Sequence, residues 1–250
     1  MIQTRNLKKS FEGLQVLKGV NTTFEKGKTS LIIGQSGSGK TVFMKCLVGL
    51  LEPDEGGVHY DDMNFTRMSP RQRTRVRKKM GMLFQGSALF DSLTVEENVI
   101  FPLEMFNKDM TKKEKLDRAH FCLDRVNILN ANNLFPAEIS GGMKKRVAIA
   151  RAIANSPDYL FCDEPNSGLD PQTAIVIDKL ISEITKEFNI TTVVNTHDMN
   201  SVMEIGDHVV FLYKGDLWWE GSSEEILTSQ NKEVENFVYA TELMLKLKSG

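Results

Sequence analysis

Short runs of apolar and β-branched residues recur along the chain, without the alternation of polar and apolar positions that marks a half-exposed strand. Such runs are typical of strands that are buried on both faces of a largely parallel sheet. We predict these strands at residues 29–33, 81–84, 159–162, 190–195 and 208–213. Helical patterns at 41–51 and 171–188 lie between some of them, and this alternation predicts an α/β domain.

The strand pattern fades over residues 86–155. Three helix-like stretches follow one another there, at 95–105, 111–126 and 143–155. We interpret this region as a helical insertion in the sheet domain. The stretch 222–250 is charged, with scattered apolar residues, and its spacing is compatible with helix.

The composition is that of an ordinary globular protein: 41% of the 250 residues are hydrophobic and 26% are charged. A formal net charge of -2 gives no overall reason to expect a nucleic-acid partner. Cys46, Cys122 and Cys162 lie far apart without a CxxC pair, so neither a zinc site nor a disulfide framework is indicated. The N-terminus lacks the apolar core of a secretory signal, and no run reaches the roughly 18 apolar residues of a spanning helix.

The sequence GQSGSGKT, residues 34–41, follows a predicted strand and opens a predicted helix, which is the context of a phosphate-binding loop. Its glycines let successive backbone N–H groups face one anion, and the helix N-terminus adds the positive end of its dipole. Lys40 would reach the β- and γ-phosphates of a nucleotide, and the Thr41 hydroxyl would bind Mg²⁺. The alternative, a flexible Gly/Ser turn, requires the lysine and threonine to fall in register by chance.

Two acids, Asp163 and Glu164, end the predicted strand YLFCDE, at the edge where ligands gather in open α/β sheets. Asp163 would hold Mg²⁺, directly or through water, and Glu164 would polarise the water that attacks the γ-phosphate. The alternative is that both acids cap the strand end.

Three further residues carry candidate chemistry that spacing alone leaves open. Gln85 follows the predicted strand 81–84 and could contact Mg²⁺ or the attacking water. His197 lies just past another strand and is either a hydrogen-bond partner of the γ-phosphate or a structural histidine. Phe11 is either a core residue or a stacking platform for an adenine ring.

Taken together, these motifs resemble those of the ATP-binding subunits of ABC transporters, over residues 2–222. GQSGSGKT is similar to the Walker A motif, Gln85 to the Q-loop, YLFCDE to the Walker B motif with its following glutamate, and His197 to the switch histidine. The resemblance implies an ATPase that uses Mg²⁺. It implies catalytic roles for Glu164, His197 and Gln85. It implies metal binding by Thr41, Gln85 and Asp163. It implies ATP contacts from Phe11, Gly34, Gln35, Ser36, Gly37, Ser38, Gly39, Lys40, Thr41 and Val42.

The stretch ISGGM resembles the signature motif of the same family, which binds the γ-phosphate of ATP held on the Walker A loop of a partner subunit. SGLD resembles the D-loop. The two motifs comprise Ser140, Gly141, Gly142 and Met143, and Ser167, Gly168, Leu169 and Asp170. Ser140 can donate its hydroxyl, and the glycines can present N–H groups at a helix start near Met143. The alternative is a serine-capped helix start with a glycine turn, although a cap alone does not require two successive glycines.

Met143 departs from the glutamine that is usual in that motif, and methionine cannot reproduce the hydrogen bonds of glutamine. With the stretches GMLFQGSALFDSLTVEENVIFPL and DEPNSGLDP, it makes the chain similar to the ATPases of Mla/Mce-type phospholipid transport systems. The leading interpretation is therefore lipid transport with an Mce-domain protein in the complex. An ABC importer for a small polar solute such as an amino acid is the alternative. A non-transport ABC ATPase acting on DNA or ribosomes is disfavoured, because the chain has one nucleotide-binding domain, lacks a coiled-coil insertion and is not strongly basic.

The resemblance implies a P-loop NTPase of class α/β, with a RecA-like parallel-sheet core, an ABC-type antiparallel β subdomain and an inserted α-helical subdomain. It places the ATPase domain at 1–222, with its core at about 1–85 and 156–222 and the helical subdomain at about 86–155. Residues 223–250 would form a tail, helical in pattern, that docks either on its own domain or on the partner subunit. The expected partners are a second copy of the chain, head-to-tail, and an integral membrane permease, with no direct nucleic acid. The expected location is the cytoplasmic face of the inner membrane, held by the permease.

Residues 67–79, RMSPRQRTRVRKK, are densely basic, and we interpret them as a solvated helical face, with nucleic acid or anionic lipid headgroups as alternatives. They contain no aromatic residue for base stacking, which weakens the single-strand alternative. In the family, the region after the Q-loop forms a groove that receives a short cytoplasmic helix of the membrane subunit, so residues 84–101 are expected to line it. Leu89, Phe90 and Leu93 are alternatively core residues of the helical subdomain.

Overall fold

The protein folds around two β-sheets, and the structure, a computed structural model, describes residues 1–240. The strands are β1 Ile2–Phe11, β2 Leu14–Phe24, β3 Thr29–Ile33, β4 Glu55–Tyr60, β5 Met63–Asn64, β6 Met80–Leu83, β7 Tyr159–Asp163, β8 Thr191–Asn195, β9 His208–Tyr213 and β10 Asp216–Gly221. The α-helices are α1 Lys40–Leu47, α2 Pro70–Arg77, α3 Val95–Phe106, α4 Lys112–Arg125, α5 Gly141–Ile153, α6 Pro171–Glu187, α7 Met199–Ile205, α8 Ser223–Leu227 and α9 Lys232–Val238.

The central sheet has six strands in the order β10-β9-β3-β8-β7-β6. Strand β3 pairs in parallel with β8 and β9, and β7 pairs in parallel with β6 and β8, while β10 forms an antiparallel edge. The five predicted strands all lie in this sheet, each within one residue of its predicted bounds at either end. Since parallel strands end at the same edge, the segments that follow β3, β6, β7 and β8 meet there.

A second, antiparallel sheet has the order β2-β1-β4-β5. Its first hairpin turns through Glu12 and Gly13, both in the left-handed region at φ 48° and 83°, as a two-residue hairpin turn of matching twist requires. The register of β1 shifts repeatedly against β2, so charged and apolar side chains do not alternate strictly. This sheet is the antiparallel subdomain that the family resemblance implies.

Helix α1 packs between the two sheets. Along β3 the side chains alternate, with Leu31 and Ile33 in the core beneath the helical insertion and Ile32 in the core that α1 shares with the antiparallel sheet. Phe43, on α1, belongs to that second core and is fully buried. The start of α1 is therefore held rigidly at the end of β3.

Helices α3, α4 and α5 form the predicted insertion between β6 and β7. Thr94 and Thr111 cap the first two in capping boxes, each with a glutamate three residues later. Helix α5 begins at Gly141, two residues earlier than predicted, because Ser140 caps it. The predicted helix 41–51 ends instead at Leu47, before Gly49 adopts the left-handed φ of 73°.

Two short helices, α8 and α9, follow the central sheet. The described part of the tail docks on its own domain, where Ile226, Val234 and Val238 belong to the hydrophobic core. A contact of the tail with a partner subunit stays a prediction, and residues 241–250 lie outside the described residues. Among the helices of residues 1–240, none has the length and apolar character needed to span a bilayer.

Candidate functional site

The loop between β3 and α1 is shaped by glycines in conformations that other residues avoid. Gly34 has a φ of 145°, and a Cβ placed there would lie 2.2 Å from the carbonyl oxygen of Leu212. Gly39 caps α1 in the left-handed region, at φ 105°. The loop therefore curls tightly ahead of the helix N-terminus, where backbone N–H groups have no partner within the helix.

Lys40 folds back over this loop. Its Nζ donates to the carbonyl oxygens of Gly34 at 2.8 Å and Gln35 at 3.1 Å. Burial lowers the pKa of Lys40, and the negative charges at the end of β7 act in the opposite direction. The buried Oγ of Ser38 has no hydrogen-bond partner within residues 1–240. An ammonium and an unpartnered hydroxyl at a helix N-terminus fit a bound phosphate.

The ends of β7 and β8 bring two acids and a histidine together. Asp163 Oδ1 accepts a hydrogen bond from Asn195 Nδ2 at 2.6 Å. Glu164 follows in the left-handed region, at φ 48°, and its N–H donates to the carbonyl oxygen of Asn195. His197 Nδ1 lies 2.8 Å from Glu164 Oε2, with the imidazole 70% exposed and the carboxylate 16% exposed. The imidazole thus faces outward at this edge of the sheet, while the carboxylate is largely shielded.

Asn195 was not among the predicted site residues. Its side chain is buried and orients Asp163. The only sequence signal is an amide residue that ends a strand of β-branched residues, two positions before His197.

Gln85 lies two residues beyond β6, at the same edge, and its side chain is exposed. Its carbonyl oxygen accepts a hydrogen bond from Lys145 Nζ, on α5. The sequence did not single out Lys145, because this contact spans 60 residues and depends on how the helical insertion packs.

The oxygen donors at this edge suit Mg²⁺ that arrives with a nucleotide. Thr41 is exposed at the start of α1, and Gln85 and Asp163 follow β6 and end β7. No cluster of three or more His, Cys, Asp or Glu residues occurs in the described part of the chain. Since Mg²⁺ usually keeps water and takes phosphate oxygens beside one or two protein ligands, the donors present fit that ion.

Phe11, at the end of β1, is 42% exposed, so it is not a core residue. The ammonium of Lys9 lies 5.3 Å from the centre of its ring. One face of the ring thus contacts a cation.

A cleft with a volume of about 590 Å³ lies where α5 and α6 begin, and we call it the signature cleft. Ser140 caps α5, its Oγ accepting from Met143 N at 3.2 Å. Asp170 caps α6, accepting from the N–H groups of two residues of its first turn. Both helix N-termini and Arg146 line the cleft. The N-terminus of α5 and Arg146 favour an anion in the cleft, whereas the N-terminus of α6 is already occupied by the carboxylate of Asp170. None of residues 34–42 is among the lining residues, so the signature cleft is separate from the phosphate loop.

Gly142 and Met143 are both closely packed beside this cleft. A Cβ on Gly142 would lie 2.8 Å from Thr173 Cγ2, so a larger residue would have to displace the Thr173 side chain or the helix that carries it. Met143 is half-buried and packs against the hydrophobic core. Its thioether therefore contributes packing at a position where the family usually carries a hydrogen-bonding amide.

An apolar groove of about 530 Å³ lies between the end of α1 and the helical insertion. Exposed side chains of Leu50, Phe84, Phe90 and Met105 line it, together with Phe101. Of the other apolar residues in the predicted groove segment, Leu89 packs against the core and Leu93 is half-buried.

The basic segment forms α2 and its flanks. Arg73 pairs with Glu52, and Arg77 donates to the carbonyl oxygen of Gly49 and lines the apolar groove. The remaining cations of α2, Arg71 and Arg75, are exposed. The segment is therefore partly structural and partly a solvated face.

Comparison with known proteins places this geometry among ATP-binding cassettes. Residues 17–167 match the family described as ABC transporter. The methionine import ATP-binding protein MetN of Carboxydothermus hydrogenoformans is 38% identical over 97% of this chain and 74% of its own length. The probable ribonucleotide transport ATP-binding protein mkl of Mycobacterium tuberculosis is 34% identical over 95% of this chain and 66% of its own length.

Solved structures agree with that similarity. The cassette MJ0796, solved as a dimer, superposes with a TM-score of 0.81 at 33% identity, over 89% of this chain and 99% of that one. It has also been solved in a post-hydrolysis state bound to ADP and Pi. CbiO1 of Clostridium perfringens, part of the transporter complex cbiONQ, superposes with a TM-score of 0.85 at 29% identity, over 100% of this chain and 98% of that one.

Proposed function

The chain belongs to the ABC transporter family, and from that premise we propose that it is the ATP-hydrolysing subunit of a membrane transporter. It is an ATP hydrolase that binds ATP with Mg²⁺. The observation that carries the proposal is the common sheet edge at which Lys40, Gln85, Glu164 and His197 lie together.

The residues at this edge of the sheet would have different roles in ATP hydrolysis. Lys40 and the N–H groups of the phosphate loop would hold the β- and γ-phosphates. Glu164, shielded from most solvent, would accept the proton of the attacking water, and Gln85 would orient that water. With its hydrogen on Nδ1, His197 donates to Glu164 and fixes the carboxylate. Bound Mg²⁺ would offset phosphate charge. Thr41 and Asp163 would hold it, with Asn195 orienting Asp163.

Phe11 would stack on the adenine ring. Its exposed ring and its position on the antiparallel sheet support this role.

The signature cleft supports a site that is shared between two copies of the chain. Ser140 accepts from Met143 N–H, which leaves the hydroxyl hydrogen available to an external acceptor. Because the cleft contains no residue of its own phosphate loop, the anion it binds would be the γ-phosphate held by a partner. We therefore propose a head-to-tail dimer in which the D-loop, Ser167 to Asp170, lies at the interface.

The apolar groove supports a membrane permease as partner. Exposed aromatic and aliphatic side chains beside Arg77 would receive a short helix of that subunit. The protein would then lie peripherally at the cytoplasmic face of the membrane. Within the chain we propose a core at about 1–85 and 156–222, a helical subdomain at about 86–155, and a tail at 223–250.

For the transported substrate, an importer for a small polar solute is the better supported proposal. This proposal is supported by the similarity to methionine import proteins, which is 38% identity for the protein from Carboxydothermus hydrogenoformans. Lipid transport through an Mce-type complex, the leading interpretation from sequence, becomes the second candidate. It is favoured by Met143 and its flanking motifs, and the similarity to mkl is compatible with it, although none of the relatives named above shows an Mce-domain partner.

Two experiments test the proposal. Glu164→Gln should abolish steady-state ATP hydrolysis while ATP still binds, and near wild-type turnover would remove Glu164 from its catalytic role.

Purification of the native complex should yield an integral membrane subunit. An accompanying solute receptor would support the importer, an Mce-domain protein would support lipid transport, and a ribosome or DNA-repair partner would contradict both.

A further inference from the structure

Lys145, within the first two turns of α5, joins three segments that lie far apart in sequence. Its side chain is buried, with 4% of the residue exposed. Nζ donates to the carbonyl oxygen of Gln85 at 2.5 Å and lies 3.4 Å from the carbonyl oxygen of Glu164. Both acceptors belong to the main chain, so the side chains of Gln85 and Glu164 are left for other partners.

An ammonium in this position needs those acceptors. Burial lowers the pKa of Lys145, and the nearby negative charges at the end of β7 oppose that change. Within the described residues, Lys145 forms no ion pair. A buried charge is costly unless it is hydrogen-bonded, so its free energy depends on where the two carbonyl groups lie.

A second cation of the same helix holds the neighbouring segment. Arg151 donates to the carbonyl oxygens of Ser87 and Ala88, at 2.7 Å each. Both of those residues adopt left-handed φ values, 63° and 47°. Of the two cations, Lys145 is the one that also reaches the end of β7, where Glu164 itself adopts the left-handed region. Non-glycine residues persist in that region only when their surroundings hold them.

We propose that Lys145 is a positioning residue for hydrolysis, which fixes the main chain at Gln85 and Glu164 so that their side chains are aligned in its own subunit. This rests on the proposed function, in which those two side chains act on the nucleotide. Lys145 itself touches neither nucleotide nor water in this role. Its loss should slow the chemical step and spare nucleotide binding, which the phosphate loop provides.

The first test compares kcat with KM in Lys145→Met. We expect kcat to fall roughly ten- to a hundredfold, the range for losing hydrogen bonds to a charged group, with KM within about twofold of wild type. Lys145→Arg keeps a cation with several donors and should recover part of kcat. Lys144→Met removes the same charge one position earlier, without these contacts, and should behave as wild type. An unchanged kcat, or a rise of KM in parallel with the loss of kcat, would overturn the proposal.

The second test separates positioning from support of α5. Mixing Lys40→Ala and Ser140→Arg subunits leaves mixed dimers with one intact site, which uses the phosphate loop of the Ser140→Arg subunit and the signature of the Lys40→Ala subunit. Adding Lys145→Met to the Ser140→Arg subunit should lower activity. Adding it to the Lys40→Ala subunit should not.

Equal losses from both placements would assign Lys145 to support of the helix and overturn the proposal. If the parent mixture is inactive, the shared site fails, and kcat and KM of the single variants then decide the role of Lys145. Lys145→Gln, which keeps a neutral donor, replaces the methionine variant in both tests if thermal unfolding shows that the latter does not fold.

Discussion

Replacing Asp178 with asparagine should stabilise the protein at neutral pH, and progressively less as the pH falls. The residue lies on α6 and is 2% exposed. Its Oδ2 accepts from Ser201 Oγ at 2.8 Å, while the buried Oδ1 finds no hydrogen-bond partner in the described chain. Burial raises the pKa of Asp178 to about 6, although hydrogen bonds from Ser201 and Asn166 act to lower it. The negative charges of Asp198 and Glu204 act in the same direction as burial.

The magnitude follows from the two protonation equilibria. The ordinary pKa of the carboxyl is 3.8, so between that value and about 6 the folded state binds the proton more tightly than the unfolded state. The contribution of Asp178 to the free energy of unfolding therefore falls as the pH rises through this window. Above the window the ionised group costs about 3 kcal/mol, and at pH 5 it costs roughly half of that. Asparagine cannot ionise, so the variant lacks this cost.

Urea unfolding of wild type and Asp178→Asn at pH 5, 6, 7 and 8 measures this difference. The variant should be more stable by up to about 3 kcal/mol at pH 8, and the advantage should shrink by roughly half at pH 5. Asp117→Asn, an exposed aspartate on α4, is the matched control and should change stability by less than about 0.5 kcal/mol at each pH. A variant that is less stable at pH 8, or a difference that does not depend on pH, would refute the assigned cost of burial.

Two further substitutions test the site. Gly142→Ala would place a Cβ 2.8 Å from Thr173 Cγ2, so the Thr173 side chain or the two helices must shift and ATPase activity should fall about tenfold. Adding Thr173→Ser removes that methyl group and should restore most of the activity, so a double variant as impaired as the single one argues against the steric account. Asn195→Ala removes the 2.6 Å hydrogen bond to Asp163, and the Mg²⁺ concentration for half-maximal ATPase activity should rise about tenfold or more. An unchanged Mg²⁺ titration would contradict this orienting role.

The parts of the fold that local sequence determines were predictable. The central strands read as apolar runs because both faces are buried, as in β3 and β8, where every residue is buried. The phosphate loop was predictable because its glycines, lysine and threonine lie within eight consecutive residues. The strand ends that carry Gln85, Glu164 and His197 then meet because parallel strands share an edge.

Other features depend on contacts that a local pattern does not contain. Strand β1 carries charged residues and register shifts, so its apolar positions do not alternate as a strand pattern requires. The sequence alone does not show whether Phe11 is a core or a surface residue. In the structure, its position at the end of the β1–β2 hairpin leaves the ring exposed. The hydrogen bond of Lys145 to Gln85 spans 60 residues and arises from the packing of α5. That of Asn195 to Asp163 spans 32 residues and arises from the pairing register of β7 and β8.

The identity of the transported molecule was the weakest inference from sequence. Met143 directed the sequence interpretation toward lipid, yet its side chain packs against the core of this chain and lies far from any transported molecule in the proposed assembly. A methionine at a packed position is explained by the volume and the apolarity of its surroundings. It carries no chemistry that would recognise a lipid or an amino acid.

The central claim is that each ATP site is shared between two copies of the chain, and mixing two inactive variants tests it most directly. Lys40→Ala and Ser140→Arg should each be inactive. If they exchange freely, about half of the dimers are mixed and each retains one of its two sites, so the mixture should recover up to about a quarter of wild-type ATPase activity. Lys40→Ala mixed with a Lys40→Ala/Ser140→Arg double variant has no intact site and should stay at background. Activity well above that background is the predicted result, and a mixture no more active than its separate components would contradict the shared site.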